Sequence, residues 1–456
     1  MPKQFTKALI EGLLVLLLAV PAVAQEPAPH HHPNPVSSSG TPENHHDHEV
    51  HSRQSDDGQA PNLASSYLLS LSSGTSLNPT AWSMPMLMNR LGDWNLMWMG
   101  QAFLVSTQQT GPRGGDKVYS ANWGMLAATR NLGRGSLMLR GMVSLDPITV
   151  SGKRYPLLFQ TGETAYGKPL VDGQHPHDLL MEIGVHYARP LGSKALVNFY
   201  YAPVGDAALG PVAFPHRASA MDLPQSALGH HWQDATHIAN NVFTAGLSFH
   251  KFRFEASAFR GREPNENRWN IDMGAMDSWS GRFTYQPSRN WLAQFSTGRI
   301  RRPESHHLDD VVRSTASVHH TRLMNNGGEW STSLVWARNY KTIGRYATQA
   351  ILAETVLPVS RRNLLTSRFE WSQRDELFEY DHDLAHEIFV KTGKRAFNVS
   401  AYTVGYTREL GSLRSGQTAV GFNVTAYTFA SALNPFYGQR PMGFNVFLRF
   451  RLKGRG

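Results

Sequence analysis

The sequence predicts an all-β fold, a transmembrane antiparallel β-barrel of about sixteen strands with short periplasmic turns and long extracellular loops. Three observations predict it. From Trp94 onward, segments of roughly ten residues alternate apolar and polar positions. Tight and long connections follow one another in strict succession between those segments. The chain also opens on an export signal. The alternation has a simple cause: a wall with lipid on one side and water on the other needs side chains that point to opposite faces in turn. In Met442–Leu452, Phe444, Val446, Leu448, Phe450 and Leu452 share one face, and Asn445, Phe447, Arg449 and Arg451 the other. Any one such segment would also suit a soluble sandwich. The number and even spacing of the segments decides for a barrel.

The N-terminus carries Lys3 and Lys7, an apolar run from Leu13 to Val20, Pro21, and Ala22-Val23-Ala24 before Gln25. This pattern reads as a signal peptide over 1–24, because the run is shorter than the roughly 20 residues a spanning helix needs. Residues 25–66 are rich in Pro, Ser, Asn, Asp and His, so they form a disordered, His-rich periplasmic tail. Residues 67–93 are a transitional segment that packs against or inside the barrel mouth, with no regular structure assigned. The outer-membrane barrel takes up 94–456.

Strands are expected near 94–105, 118–130, 136–146, 178–189, 194–203, 241–249, 251–260, 278–286, 290–299, 311–321, 329–338, 345–356, 363–373, 395–408, 416–428 and 442–452. Tight links rich in Gly, Pro and Asn follow the even strands, as at Gly133-Arg134-Gly135 and Asn325–Gly328. Long polar connections follow odd strands, the longest near 147–177, 204–240, 261–277 and 374–394. That arrangement leaves both chain ends in the periplasm and makes the strand number even, the bacterial rule. Sixteen strands leave an aqueous bore, whereas a plugged active transporter takes about 22 and a folded plug domain. Loop 204–240 is expected to fold inward and line the narrowest part of the bore.

Composition narrows the function. The chain has no cysteine among 456 residues, which excludes disulfides, thiolate metal sites and a catalytic cysteine. The 41% hydrophobic content is ordinary for a barrel coated on one face only. A formal charge of +9 on an exported chain points to anionic head groups and anionic solutes, with no nucleic acid. Arg253, Arg368, Arg449 and Arg451 fall on the wet faces of their strands. They are read as pore-lining and as biasing passage toward anions. No Gly-x-Ser-x-Gly, phosphate-loop or His-Glu-x-x-His motif is present, so the chain is not read as an enzyme. The reading is a porin-like channel of the Gram-negative outer membrane. Its expected partners are outer-membrane lipid, lipopolysaccharide, the barrel assembly machinery and further copies in a homotrimer.

Histidine is the outlier, with 21 copies in clusters. The tail holds His30, His31, His32, His45, His46, His48 and His51 beside Asp47 and Glu49, a loose Cu or Zn site or a solvated spacer. The loops hold His175 and His177, then His230, His231 and His237, with His216-Arg217 between them. His231, Asp234 and His237 would share one side of a helical turn. These spacings can support a metal, or can fix the loops by hydrogen bonds. Met84, Met86, Met88, Met97 and Met99 alternate, a soft Cu(I) set or adaptable apolar packing. Arg260–Trp269 reads as an ion network that locks its loop.

The segments Gln160–Gly167, Asp172–Asp178, Gly229–His237 and Phe259–Trp269 resemble those of an uncharacterised family of exported Gram-negative barrel proteins. The resemblance covers about Trp94 to Arg313. That family is similar, in its His- and Met-rich N-terminal part, to outer-membrane copper-resistance protein B, which implies a place in transition-metal handling. It implies no catalytic residue. The chain departs from the copper-resistance pattern in lacking long Met-rich repeats.

Overall fold

The computed structural model describes residues 62–413 and 415–453. The signal peptide, nearly all of the tail, and the tail histidines His45, His46 and His48 lie outside the described residues. Among those described, sixteen strands form one closed antiparallel wall, each paired with its neighbours in sequence. The last strand, Met442–Leu452, closes on the first, Trp94–Gln109, in a register running from Gly443 opposite Gln109 to Arg451 opposite Gln101. A short strand, Leu87–Leu91, turns back onto Trp94–Trp98 and extends the same edge beyond the last strand.

The period-two pattern becomes an oily outside and a polar inside. On Phe252–Arg260, Phe252 and Phe254 are 40% and 54% exposed while Arg253 and Glu255 are 4% and 5% exposed. Across strands the outer face continues through Phe283 and Tyr285, whose rings lie 5.0 Å from Phe254 and Phe252 respectively. Trp279, Trp291, Phe295 and Leu334 extend the exposed apolar belt. No helix among the described residues is long and apolar enough to cross a membrane.

Connections after even strands are tight, as at 133–134, 250–251 and 361–362, and those after odd strands include the long segments 144–179, 206–238 and 375–396. The barrel therefore has a short-turn rim and a long-loop rim. His250 takes a left-handed φ of 53° to make its turn, a conformation that costs a non-glycine residue unless the hairpin fixes it.

The bore is filled by three pieces of the chain itself. The first is 62–83, at the short-turn rim. Asn62 caps the helix Leu63–Leu69 by accepting from the Ser65 amide at 2.8 Å. Ala64, Leu68 and Leu71 then pack among Met97, Met99, Met125, Met138, Met142 and Met181. Beyond the helix, Ser72, Ser73, Thr75, Ser76 and Asn78 are buried in the bore. The Ala81 amide donates to Arg289 O at 2.8 Å and the Ser83 amide to Glu329 at 2.9 Å, near the turns of other strands.

One expectation is corrected here, and one open alternative is decided. The tail does not run to 66, because residues 63–66 are already helical. Met97 and Met99 are apolar packing for that helix, buried at 0% and 3%, with Met84 and Met86 bordering the same cluster. Met88 stands opposite Met97 in the strand register and is 47% exposed.

The second piece is the loop 206–238, which folds inward. It is buried along nearly its whole length, and it carries the one-turn helix His230–Gln233 and the 3-10 turns Phe214–His216 and Ala235–Ile238. The third is a hairpin, Tyr155–Ala165 with Lys168–Gln174, unforeseen in the connection 144–179. It packs Phe159 against Tyr427, Phe429 and Tyr437 inside the wall. The pieces brace one another. Asn78 Nδ2 donates to His216 O at 2.9 Å and the Ala218 amide donates back to Asn78 Oδ1 at 3.0 Å. Ser226 Oγ donates to Gln174 Oε1 at 2.9 Å.

Candidate functional site in the lumen

The four lumen arginines face inward, but they do not line open water. Each is engaged by a neighbour on the wall or by a bore-filling segment. Arg253 lies 2.7 Å from Glu255 and 4.9 Å under the Tyr67 ring. Arg368 donates to Glu354 at 2.9 Å and to Gln225 O at 3.1 Å. Arg449 pairs with Asp222 and with Glu409, the latter at 3.2 Å. Arg451 donates to Gln101 and to Met221 O, both at 2.6 Å. The physical reason is desolvation: a guanidinium buried by an inward loop must find a carboxylate or a carbonyl. The arginines therefore contact the bore-filling segments as well as the wall.

The loop histidines meet. His175 and His177 come from the end of 144–179, His230 and His231 from the one-turn helix, and His237 from the turn after it. Ring centroids are 5.0 Å apart for His230 and His231, 5.6 Å for His175 and His231, and 5.2 Å for His230 and His237. The ligand atoms of His175, His230 and His231 all lie within 4.8 Å of one another. His177 and His237 belong to the same aromatic patch without joining that triplet. They sit 5.6 Å apart, and the Phe214 ring touches both of them and His230. The expected face of His231, Asp234 and His237 is also rearranged, since Asp234 takes His230 Nδ1 at 2.6 Å.

Oxygen acceptors fix the rings. His177 Nδ1 is held by Asp146 at 2.9 Å, His237 Nδ1 by Asp234 O at 2.9 Å, and His175 Nδ1 by Pro176 O at 3.1 Å. With Nδ1 engaged by oxygen, Nε2 is the nitrogen left to a ligand, which is the usual outer-shell pattern of metal-binding histidines. The buried Nε2 atoms of His175 and His237 and both ring nitrogens of His231 make no hydrogen bond. Burial, reinforced for His175 by Arg268 and for His237 by His230, holds both imidazoles well below the usual histidine range. They are thus in the neutral form that binds metals.

Carboxylates surround the triplet. Glu163 lies 3.1 Å from His175 Nε2 and also pairs with Arg268, which reaches Asp178 at 3.1 Å, and Glu263 lies 3.5 Å from His231 Nδ1. Gly162 makes this possible. Its φ of +119° suits glycine, and a Cβ there would fall 2.6 Å from the His231 ring. Arg260–Trp269 is tied by ion pairs to partners outside the segment and not, as expected, among its own charges: through Arg268 with Glu163 and Asp178, through Arg260 with Asp272 at 3.2 Å, and through Glu266 with Lys153 at 2.8 Å. Sequence reasoning missed Asp146, Glu163 and Phe214 as partners of the histidines. Each is far from them in sequence, and no spacing rule joins them.

No protein-family model matches the chain, and no curated protein sequence matches it. Among solved structures, the chain is similar to an anion-selective porin from Comamonas acidovorans, at 14% identity and a TM-score of 0.49, over 79% of this chain and 100% of that one. It is similar to OmpF of Salmonella typhi, in complex with daunomycin, at 10% identity and 0.48, over 80% of this chain and 100% of the other. The outer membrane channel DcaP of Acinetobacter baumannii is similar at 8% identity and 0.44, over 80% and 99%. At these identities and scores no residue's role is carried across.

Proposed function

We propose that the protein is a channel of the Gram-negative outer membrane whose bore is occupied by its own inward loop, passing small polar or anionic solutes through the space that loop leaves. The observation that carries this reading is the loop 206–238, buried inside a closed wall that is apolar outside and polar inside. A sixteen-stranded wall is wide enough to hold water, and a loop tied by ion pairs is how such a bore is narrowed. The excess of basic residues supports a preference for anions, although the four lumen arginines named above act as anchors. The test is planar-bilayer recording of the mature chain under a KCl gradient. Small discrete conductance steps with an anion-side reversal potential are expected, and a bilayer that stays silent would overturn the reading.

A second reading rests on the buried histidines. His175, His230 and His231 fit a Cu or Zn ion in donor type, and oxygen partners stand behind the rings of His175 and His230, with His177 and His237 beside them. The ion would tie the 144–179 connection to the lumen loop. Calorimetric titration with Zn²⁺ should show a site that His230→Ala removes. Equal binding by the variant would dispose of it.

A further inference from the structure

A different cluster lies at the long-loop rim, on two connections that are far apart in sequence. Glu304, His306 and His307 come from 301–310, between the strands Trp291–Ile300 and Val311–Leu323. Glu379 comes from 375–396, between Asn363–Arg374 and Phe397–Leu413. Each offers one ligand atom, and the four atoms all lie within 4.8 Å of one another.

Both imidazoles bond Glu379 through Nε2, which leaves Glu304 over. His306 Nε2 lies 3.0 Å from Glu304 Oε2 and 3.0 Å from Glu379 Oε2. It carries at most one hydrogen, so it can serve only one of the two carboxylates. His307 Nε2 also converges on Glu379 and sits 3.9 Å from Glu304 Oε2. Glu304 Oε2 is buried without a hydrogen bond. Lys341, whose charge acts on Glu304 and His307, is already engaged by Asp375 at 2.8 Å and Glu376 at 2.9 Å. Two carboxylates thus face one point with two imidazoles. Ligands around a tetrahedral zinc at 2.0–2.2 Å stand roughly 3.3 Å from one another, and the separations here bracket that value.

We propose that Glu304, His306, His307 and Glu379 form a divalent transition-metal site, taking Zn²⁺, that staples the two rim loops together. The donor set of two imidazoles and two carboxylates, without thiolate, suits zinc and neighbouring first-row ions. Binding displaces the imidazole protons to solvent and neutralises the facing carboxylates.

The test uses the full mature chain in detergent, with Zn²⁺ as probe and diethyl pyrocarbonate labelling of histidines read peptide by peptide. At zinc a hundredfold above Kd about one site in a hundred is free, so labelling of His306 and His307 should slow about 100-fold. Peptides carrying His230 and His231 report the buried cluster separately. Glu379→Gln keeps both histidines and should lose most of the protection. Equal labelling of His306 and His307 with and without zinc in the unmodified chain would overturn the proposal. So would undiminished protection in a folded Glu379→Gln variant.

Discussion

Arg217 places its Nε 2.6 Å from Glu354 Oε1, joining the lumen loop to the wall, and both side chains are fully buried. The pair is the centre of a small network. Arg217 Nη1 also reaches Asp234 Oδ2 at 2.9 Å, and Arg368 Nε donates to Glu354 Oε2 at 2.9 Å. Two guanidiniums and two carboxylates balance within the bore, where neither sign could be buried alone.

Neutralising Glu354 should therefore loosen the loop. Glu354→Gln leaves two buried guanidiniums with one fewer carboxylate, and breaking a buried pair from one side costs about 3–5 kcal/mol. The wall is held by its strand ladder, so the cost falls on the loop's inward position. Single-channel recordings should show larger and noisier steps than those of the unmodified chain. Unchanged steps would mean that the ion pair does not hold the loop.

A covalent lock should do the reverse. Ser219 Oγ on the loop lies 2.6 Å from Ser333 Oγ on the wall, and the chain has no cysteine of its own. Ser219→Cys with Ser333→Cys should form a disulfide on oxidation. Current fluctuations should then fall, and dithiothreitol should restore them.

Acid should release the loop in a defined window. His216, buried against Trp123 with ring centroids 4.3 Å apart, is pushed down by that burial to about 3. Its unfolded value is near 6.5. Between these values the released state binds the extra proton, so the loop's inward stability is full above pH 6.5 and falls by about 1.4 kcal/mol per pH unit below it. Conductance should rise as pH drops from 6.5 toward 3. His216→Gln, which does not titrate, should flatten that rise.

Gly162 should set the geometry of the buried histidines. In Gly162→Val the new side chain meets the His231 ring and the backbone must leave φ +119°. Zinc affinity at that cluster should fall by about the 10–100-fold typical of disturbing a ligand's support, as read by calorimetry. The rim site should keep its protection pattern.

The wall was legible because lipid and water impose a period of two on every strand. Met442–Leu452 and the first residue of Trp94–Gln109 fall where the alternation puts them. The contents of the bore were less so. Ser72, Ser73, Thr75, Ser76 and Asn78 are buried by a polar lumen, and burial without apolarity leaves no hydropathy signal. The Tyr155–Gln174 hairpin escaped because Phe159, Glu163, Tyr166 and Asp172 take left-handed φ and its register shifts, which breaks the alternation. The histidine groups were visible as neighbours in the chain, whereas Glu163, Glu263 and the pairing of His306 with Glu379 depend on which loops meet in space.

The chain's own loop 206–238 occupies a bore that, in a sixteen-stranded wall, is otherwise wide enough for solutes. The most direct measurement is single-channel conductance of a variant in which 207–237 is replaced by a short Gly-Ser linker, recorded beside the unmodified chain in the same bilayer. A several-fold larger conductance is expected for the variant. Equal conductance, from a variant shown to be folded and inserted, would contradict it.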